Sequence, residues 1–217
     1  MPILIEACVE SPEEALRSER LGADRIELCS NLAVGGTTPS HGIVAVALDR
    51  CSIPVYPIVR SRGGDFVFGG DDVRAMLHDV TQLRTLGVPG MVIGALTLRG
   101  TIDRDAVSRL RDAAGPIDLT FHKAFDAVRD QVEALDTLIE LGISRVLTSG
   151  GAESAREGRG QIASLVQQAA GRLAVMAGGG IVASHAAELV ATTGVAEIHL
   201  RATDGERFGA VARVVNG

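Results

Sequence analysis

Acidic and thiol side chains occur together near the start of this chain, at the ends of two short apolar segments. Glu6 and Cys8 end the first segment, and Glu27 and Cys29 end the second. Side chains two positions apart on a β-strand point to the same side of it, so each carboxylate shares a face with its thiol. Thiolates are soft ligands that favour Cu(I), and a positioned carboxylate can act as a general base. This spacing predicts either a metal site or a site of proton transfer.

Other reactive side chains lie at the ends of later apolar segments. Glu197 and His199 repeat the pattern of an acid followed by a metal-ligating residue. Two glycine-rich turns can present backbone N–H groups to a phosphate or a carboxylate. These turns contain Ser149 and Gly150, and Gly178, Gly179 and Gly180. The remaining polar candidates are Arg60, Thr120, His122, Lys123, Asp126 and Thr148.

An internal repeat indicates which elements position these residues. Four times a helical stretch ends at a glycine and an apolar strand follows, and four more apolar segments lie between these repeats. Eight strand-then-helix units predict a lean (β/α)8 TIM barrel. A doubly wound sheet is the alternative, but the first strand runs into Ser11 without the glycine turn typical of that fold. The repeats are Leu21–Leu28, Leu86–Gly94, Leu141–Gly150 and Thr193–Leu200, and the segments between them are Ile3–Val9, Pro54–Arg60, Pro116–His122 and Arg172–Ala177.

In such a barrel the functional face lies at the carboxyl ends of the strands. Strands 8, 1 and 2 become neighbours when the barrel closes, which brings their acids, thiols and histidine together. Cys8 and Cys29 are expected at matching positions of adjacent strands, with backbones roughly 5 Å apart, so that both sulfurs reach one ion in a near-linear arrangement. Cys51 is expected at the opposite end of the barrel, away from this pair. Helix starts are expected at Ser11, Asp71, Asp103, Asp130 and Ser184.

Composition limits the class of protein further. The chain has 217 residues, of which 46% are hydrophobic and 3% aromatic, and this suits a single domain over residues 1–217 with a core of small branched side chains. Its net charge of −6 argues against nucleic acid or an anionic membrane as a partner. The absence of a signal sequence and of a long apolar run, together with an odd number of cysteines, predicts a cytoplasmic protein without disulfides.

Several segments of the chain resemble the signature of one family, the copper homeostasis protein CutC. They occur in the order and spacing of that family and cover almost the whole chain. The segments are EACVES at Glu6–Ser11, GADRIELC at Gly22–Cys29, GGTTPSHG at Gly35–Gly42, RSRGGDF at Arg60–Phe66, GALT at Gly94–Thr97, LTFHKAFD at Leu119–Asp126, RVLTSGG at Arg145–Gly151 and MAGGGI at Met176–Ile181.

The resemblance implies a (β/α)8 barrel, a cytoplasmic location and a role in copper homeostasis, with Cu(I) bound at Cys8 and Cys29. It leaves open whether the protein forms a homodimer. The chain differs from the family pattern at Ser61, where proline is usual, and at Lys123, where arginine is usual. The segment after His199 is also short and runs almost directly into the last helix, which leaves less cover over the mouth of the barrel.

The residues themselves leave two other interpretations open. In one, the chain is an enzyme that carries out acid–base chemistry on a small anionic metabolite. Its catalytic residues are then Glu6 or Glu27 as general base and His122 as general acid, with Asp126 in the same group and Arg60 and the glycine turns holding the anion. In the other, the barrel has a purely structural or partner-binding role, and its buried charges only stabilise it. That interpretation predicts an internal salt-bridge network of Glu6, Glu27, Arg60 and Glu197.

Overall fold

The computed structural model describes residues 2–217 and contains eight parallel β-strands that alternate with eight α-helices. The strands are β1 (Leu4–Val9), β2 (Arg25–Leu28), β3 (Val55–Pro57), β4 (Gly90–Ile93), β5 (Asp118–Phe121), β6 (Arg145–Thr148), β7 (Ala174–Gly178) and β8 (Glu197–Arg201). The helices are α1 (Pro12–Arg20), α2 (His41–Arg50), α3 (Gly70–Thr85), α4 (Arg104–Ala114), α5 (Gln131–Glu140), α6 (Arg159–Ala169), α7 (Ala183–Thr193) and α8 (Gly205–Asn216). Short 3₁₀ helices at Leu32–Val34 and Lys123–Ala127 follow β2 and β5.

The strands form one sheet whose two edges meet. Their order is β3-β2-β1-β8-β7-β6-β5-β4. A parallel bridge between Ile58 and Val92 joins the outer strands, and the Val59 N–H donates to the Val92 carbonyl oxygen at 2.7 Å. The predicted (β/α)8 TIM barrel is therefore confirmed, with strands β8, β1 and β2 side by side as expected. No helix within residues 2–217 is both long and apolar enough to span a bilayer.

Side-chain caps begin several of the helices where the sequence predicts. Ser11, Asp103 and Asp130 each accept a hydrogen bond from a backbone N–H in the first turn of the following helix. The expected caps at Asp71 and Ser184 are wrong, because α3 begins at Gly70 and α7 at Ala183, so both residues lie inside the first turn of their helix. The last loop is as short as predicted, since only residues 202–204 separate β8 from α8.

Strand alternation places the apolar core outside the barrel wall and most of the charged side chains of the strands inside it. Ile5, Ile26 and Ile198 are fully buried between the strands and the surrounding helices. The alternate positions point inward, so Glu6 and Glu27 are buried within the barrel. A small apolar cluster of Cys8, Cys29, Leu32, Tyr56, Ile58 and Val92 lies beside Glu27, since Cys8 and Tyr56 are its partners on the neighbouring strands.

Candidate functional site

Four buried side chains form a continuous ion-pair network across the inside of the barrel. Arg25 on β2 donates through Nε to Glu6 Oε2 at 2.5 Å and through Nη2 to Glu197 Oε2 at 2.6 Å. Arg145 on β6 approaches Glu197 from the other side, with its Nε 2.5 Å from Oε2. None of the four side chains is more than 12% exposed. The two guanidinium groups compensate carboxylates that are very costly to bury alone.

His199 extends this network towards the mouth of the barrel. Its Nδ1 lies 2.8 Å from Glu6 Oε1, and its Nε2 lies 3.7 Å from Glu27 Oε2. Burial alone lowers the pKa of His199, but hydrogen bonds with Cys8 and Glu6 and the charge of Glu27 hold this pKa well above its usual value. The imidazole is therefore positively charged at neutral pH and lies between two acids.

Glu6 gives the protein a predictable loss of stability in acid. Burial alone raises the pKa of Glu6, but Arg25 and His199 together lower it from 4.5 to about 2. Because the folded-state pKa is the lower one, this stabilisation is complete above pH 4.5 and is lost as the pH falls towards about 2. We expect the free energy of unfolding to fall by about 3 kcal/mol across this window. Urea unfolding followed by circular dichroism at about pH 5 and about pH 2.5 measures the change.

The Glu6→Gln variant is the control for this acid effect, because glutamine does not titrate. Glu27 does not account for an acid loss, since its pKa is raised and its protonation therefore changes stability in the opposite direction. An acid loss of stability that is as steep in Glu6→Gln as in the parent chain contradicts the assignment.

Arg60 is buried but lies outside the internal network, contrary to expectation. Its Nη1 donates to the carbonyl oxygens of Val34 and Gly36, both at 2.9 Å, and its Nη2 donates to that of Gly64 at 2.7 Å. The side chain therefore ties together the loops that follow β2 and β3. The salt-bridge network predicted from the sequence is correct for Glu6 and Glu197. Glu27 approaches only His199, at 3.7 Å, and Arg60 is too near the barrel mouth to join the network.

The thiols of Cys8 and Cys29 face each other above the network, with 3.9 Å between their sulfur atoms. The expectation that their backbones match is wrong, since Cys8 pairs with Glu27 and Cys29 lies beyond that pair. Neighbouring strands of a barrel are staggered, and the stagger brings these side chains together diagonally. The Glu27 carboxylate completes a group in which the three ligand atoms lie within 4.8 Å of one another. Cys51 ends α2 and is not part of this group.

The surroundings of this group keep both thiols protonated at neutral pH. Hydrogen bonding to Cys29, burial and the charge of Glu27 raise the pKa of Cys8 well above its usual value. The hydrogen bond with Cys8 lowers the pKa of Cys29, but burial and Glu27 outweigh it and bring this pKa to about 11. Burial also raises the pKa of Glu27, with only partial opposition from His199. Unlike Glu6, Glu27 forms no ion pair with an arginine within residues 2–217.

A cavity of about 530 Å³ opens above the thiols, at the carboxyl ends of the strands. This is where the barrel fold places functional sites, and the volume is typical of a site for a small molecule. Glu6 lies beneath the cavity, while Asp126, Ser149, Gly150 and Gly178 are outside its lining. The polar part of the lining consists of Cys8, Glu27, Arg60, His122, Lys123, Gly179, Gly180, His199 and Arg201.

His122 offers the cavity a hydrogen-bond donor rather than an acid. Its Nδ1 accepts a hydrogen bond from the Ala124 N–H at 3.1 Å, so in the neutral ring the hydrogen is on Nε2. Nε2 is buried and has no partner within residues 2–217. Burial, with a smaller effect of Arg60, lowers the pKa of His122 to about 3. A ring that stays neutral at physiological pH does not support the role of general acid. Glycine at position 94 makes room for it, since a Cβ there would lie 2.3 Å from His122 Cε1.

Asp126 holds the turn after β6 and is fully engaged in doing so. It accepts hydrogen bonds from the N–H groups of Ser149 and Gly151, each at 3.0 Å, and from the Thr148 hydroxyl at 2.5 Å. The Gly150 N–H in turn donates to Thr148 Oγ1 at 2.8 Å. The donors that the sequence offers to an anion at this turn are therefore used within the protein.

The turn after β7 is arranged differently. Within residues 2–217 the N–H groups of Gly179 and Gly180 have no hydrogen-bond partner, and both residues border the cavity. Of the two glycine-rich turns, this one has donors free for an anion.

Three residues that fill the barrel interior were missed by the reasoning from sequence: Arg25, Arg145 and Tyr56. The Tyr56 ring lies near both guanidinium groups, 5.3 Å from Arg25 Cζ and 5.9 Å from Arg145 Cζ. Its hydroxyl donates to Asp118 at 3.0 Å. The signal for Arg25 was present in the sequence, because it precedes Glu27 by two positions and so shares its face of β2.

Comparison with known proteins finds relatives over nearly the whole chain. The sequence profile of the CutC family matches residues 3–204. A CutC family protein from Mesorhizobium japonicum is 48% identical over 199 residues, which cover 92% of this chain and 77% of the relative. A copper homeostasis protein cutC homolog from Homo sapiens is 45% identical over 199 residues, which cover 92% of this chain and 73% of the relative.

Solved structures resemble this one over similar lengths. A CutC protein from Streptococcus agalactiae matches with a TM-score of 0.87 and 36% identity, covering 93% of this chain and 100% of that chain. A phosphoribosyl anthranilate isomerase from Thermococcus kodakaraensis matches with a TM-score of 0.66 and 17% identity, covering 99% of this chain and 100% of that chain. At the latter identity the likeness concerns the barrel fold alone.

Proposed function

The chain belongs to the CutC family, and from this membership we propose that it serves copper homeostasis in the cytoplasm by binding Cu(I) at the barrel mouth. The relatives from Homo sapiens and Mus musculus are called copper homeostasis proteins. The observation that carries the proposal is the cluster of Cys8, Glu27 and Cys29, whose ligand atoms lie within 4.8 Å of one another.

The donor set suits a soft ion. Thiolates select Cu(I) over harder divalent ions, and Glu27 adds negative charge next to them. Cys8 Sγ and Cys29 Sγ are 3.9 Å apart with the Glu27 carboxylate beside them, so both sulfurs can reach one ion as expected from the sequence. A bound thiol is deprotonated, so uptake of the ion releases protons that the empty cluster holds tightly.

We expect the protein to bind one equivalent of Cu(I) and the Cys8→Ser/Cys29→Ser variant to bind none, because hydroxyls are poor ligands for this ion. The measurement is an anaerobic titration with Cu(I) against a chromogenic chelator that competes for it. Cys51→Ser is the matched control, since that thiol lies at the end of α2, outside the cluster, and its loss should leave the titration unchanged.

Glu27→Gln tests the third ligand in the same titration. Loss of its charge should weaken binding without abolishing it, because both sulfurs remain. If the double cysteine variant still binds one equivalent of Cu(I) tightly, the proposal is wrong. It is also wrong if Cys51→Ser loses Cu(I) binding to the same extent, because the ion then binds at any accessible thiol.

A further inference from the structure

The cavity above the thiols holds more positive than negative side chains, although the whole chain has a net charge of −6. Arg60, Lys123 and Arg201 border it, whereas Glu27 is the only acid in its lining. The Lys123 side chain is exposed and reaches the cavity from the 3₁₀ helix after β5. Such an excess of positive charge in a concave site attracts an anion.

Gly179 and Gly180 form the part of the wall next to Lys123. Their φ values of +109° and +68° lie in the region that favours glycine, and consecutive N–H groups in such a turn form a concave anion site. A Cβ on Gly179 would lie 3.6 Å from Lys123 Nζ, which places the ammonium next to this turn. An ammonium and two N–H groups at one turn match the three terminal oxygens of a phosphate ester better than the two oxygens of a carboxylate.

His122 supplies a separate donor that nothing in the protein uses. The side chain is only 4% exposed, and its Nε2–H has no acceptor within residues 2–217. Buried donors are almost always paired, so an orphan in a cavity wall indicates an acceptor that comes from outside. The Phe66 ring lies 5.1 Å from the His122 ring and borders the same cavity, so a ligand at Nε2 also contacts this aromatic side chain.

We propose that this cavity binds a monophosphorylated metabolite of sugar size that carries a carbonyl group. The phosphate contacts Lys123 and the N–H groups of Gly179 and Gly180. The carbonyl oxygen accepts from His122 Nε2–H, on the part of the wall next to Phe66. None of these contacts involves Cys8 or Cys29, although Cys8 and Glu27 border the same cavity, and the proposal narrows the substrate class of the enzymatic interpretation.

Three related probes test the proposal on the unchanged protein. D-ribulose 5-phosphate has both groups, D-ribitol 5-phosphate lacks the carbonyl, and D-ribulose lacks the phosphate. Titration calorimetry should show the ketose phosphate binding about tenfold more tightly than ribitol 5-phosphate, because its carbonyl oxygen only accepts, whereas an alditol hydroxyl also buries a hydrogen that needs an acceptor of its own. The ketose phosphate should exceed D-ribulose in affinity by a larger factor, because charge-assisted hydrogen bonds to phosphate are stronger than neutral ones.

Two variants then assign the contacts. Lys123→Gln should weaken both phosphorylated probes by about tenfold or more. Arg109→Gln is its matched control, because it removes one positive charge from an exposed ion pair on α4, away from the cavity, and should change nothing. His122→Leu should abolish the preference for the ketose over the alditol while phosphate binding remains.

Equal binding of all three probes by the parent chain overturns the proposal, and this result does not depend on whether any variant folds. Equal weakening by Lys123→Gln and Arg109→Gln overturns the phosphate position. Cys8→Ser/Cys29→Ser should bind the ketose phosphate as the parent does. Failure of the copper proposal and failure of this one are therefore seen in different measurements.

Discussion

Replacing Arg25 with methionine is expected to lower the free energy of unfolding by about 3–5 kcal/mol, because it leaves buried carboxylates without their main partner. Arg25 donates to Glu6 at 2.5 Å and to Glu197 at 2.6 Å. Glu6 retains only His199 after the substitution, and Glu197 retains only Arg145. Methionine keeps much of the length and packing of arginine, so the loss reports on charge rather than on an empty space.

Urea unfolding at neutral pH measures the effect, with Arg50→Met as the matched control. Arg50 forms an ion pair of similar length with Glu13, at 2.6 Å, but its side chain is 36% exposed and that of Glu13 is 74% exposed. Exposed pairs of this kind contribute at most about 1 kcal/mol, so this variant should be nearly as stable as the parent. Similar losses in the two variants contradict the view that burial makes the Arg25 pairs important.

The strand pattern alone predicts much of this arrangement. Glu6 and Cys8, and likewise Glu27 and Cys29, share a face because of the two-residue period of a strand. The order of the strands in a closed barrel then brings the two pairs together. The stagger between β1 and β2 is not visible in either strand by itself, since it depends on how the whole barrel closes. For that reason the predicted backbone match of Cys8 with Cys29 is wrong even though their sulfurs meet.

The roles of individual polar residues are harder to predict, because a role depends on which hydrogen bonds are already made. His122 and Arg60 both lie at the carboxyl ends of strands, where the sequence places candidate catalytic residues. The structure shows that Arg60 donates three hydrogen bonds to loop carbonyl groups, whereas His122 has one donor without a partner among the described residues. Nothing in the identity or spacing of the two residues distinguishes these outcomes.

The copper cluster and the anion cavity meet at Cys8 and Glu27, which belong to the ligand group and also border the cavity. A cation bound by the thiols and an anion bound at Lys123 therefore occupy opposite parts of one opening. Electrostatic attraction between them favours binding both, whereas the shared wall limits the space for both. Titration of Cu(I) with and without D-ribulose 5-phosphate shows which effect is larger.

Asp126→Ala should lower the free energy of unfolding by about 3 kcal/mol, because it removes the acceptor that organises the turn after β6. The aspartate accepts hydrogen bonds from the N–H groups of Ser149 and Gly151 and from the hydroxyl of Thr148. Ser149 is almost completely buried, so water does not readily replace the lost acceptor there. The same urea experiment measures the loss, and amide hydrogen exchange should become faster at Ser149 and Gly151.

Asp130→Ala is the matched control for this variant. Asp130 also accepts from two backbone N–H groups, those of Val132 and Glu133, but it does so at the exposed start of α5. Loss of a helix cap of this kind costs about 1 kcal/mol, clearly less than the loss expected at Asp126. If Asp126→Ala is no less stable than Asp130→Ala, the carboxylate is not needed to hold the turn. Its place among the catalytic candidates then regains support, because a half-buried acid near the barrel mouth that is dispensable for folding requires another reason to be there.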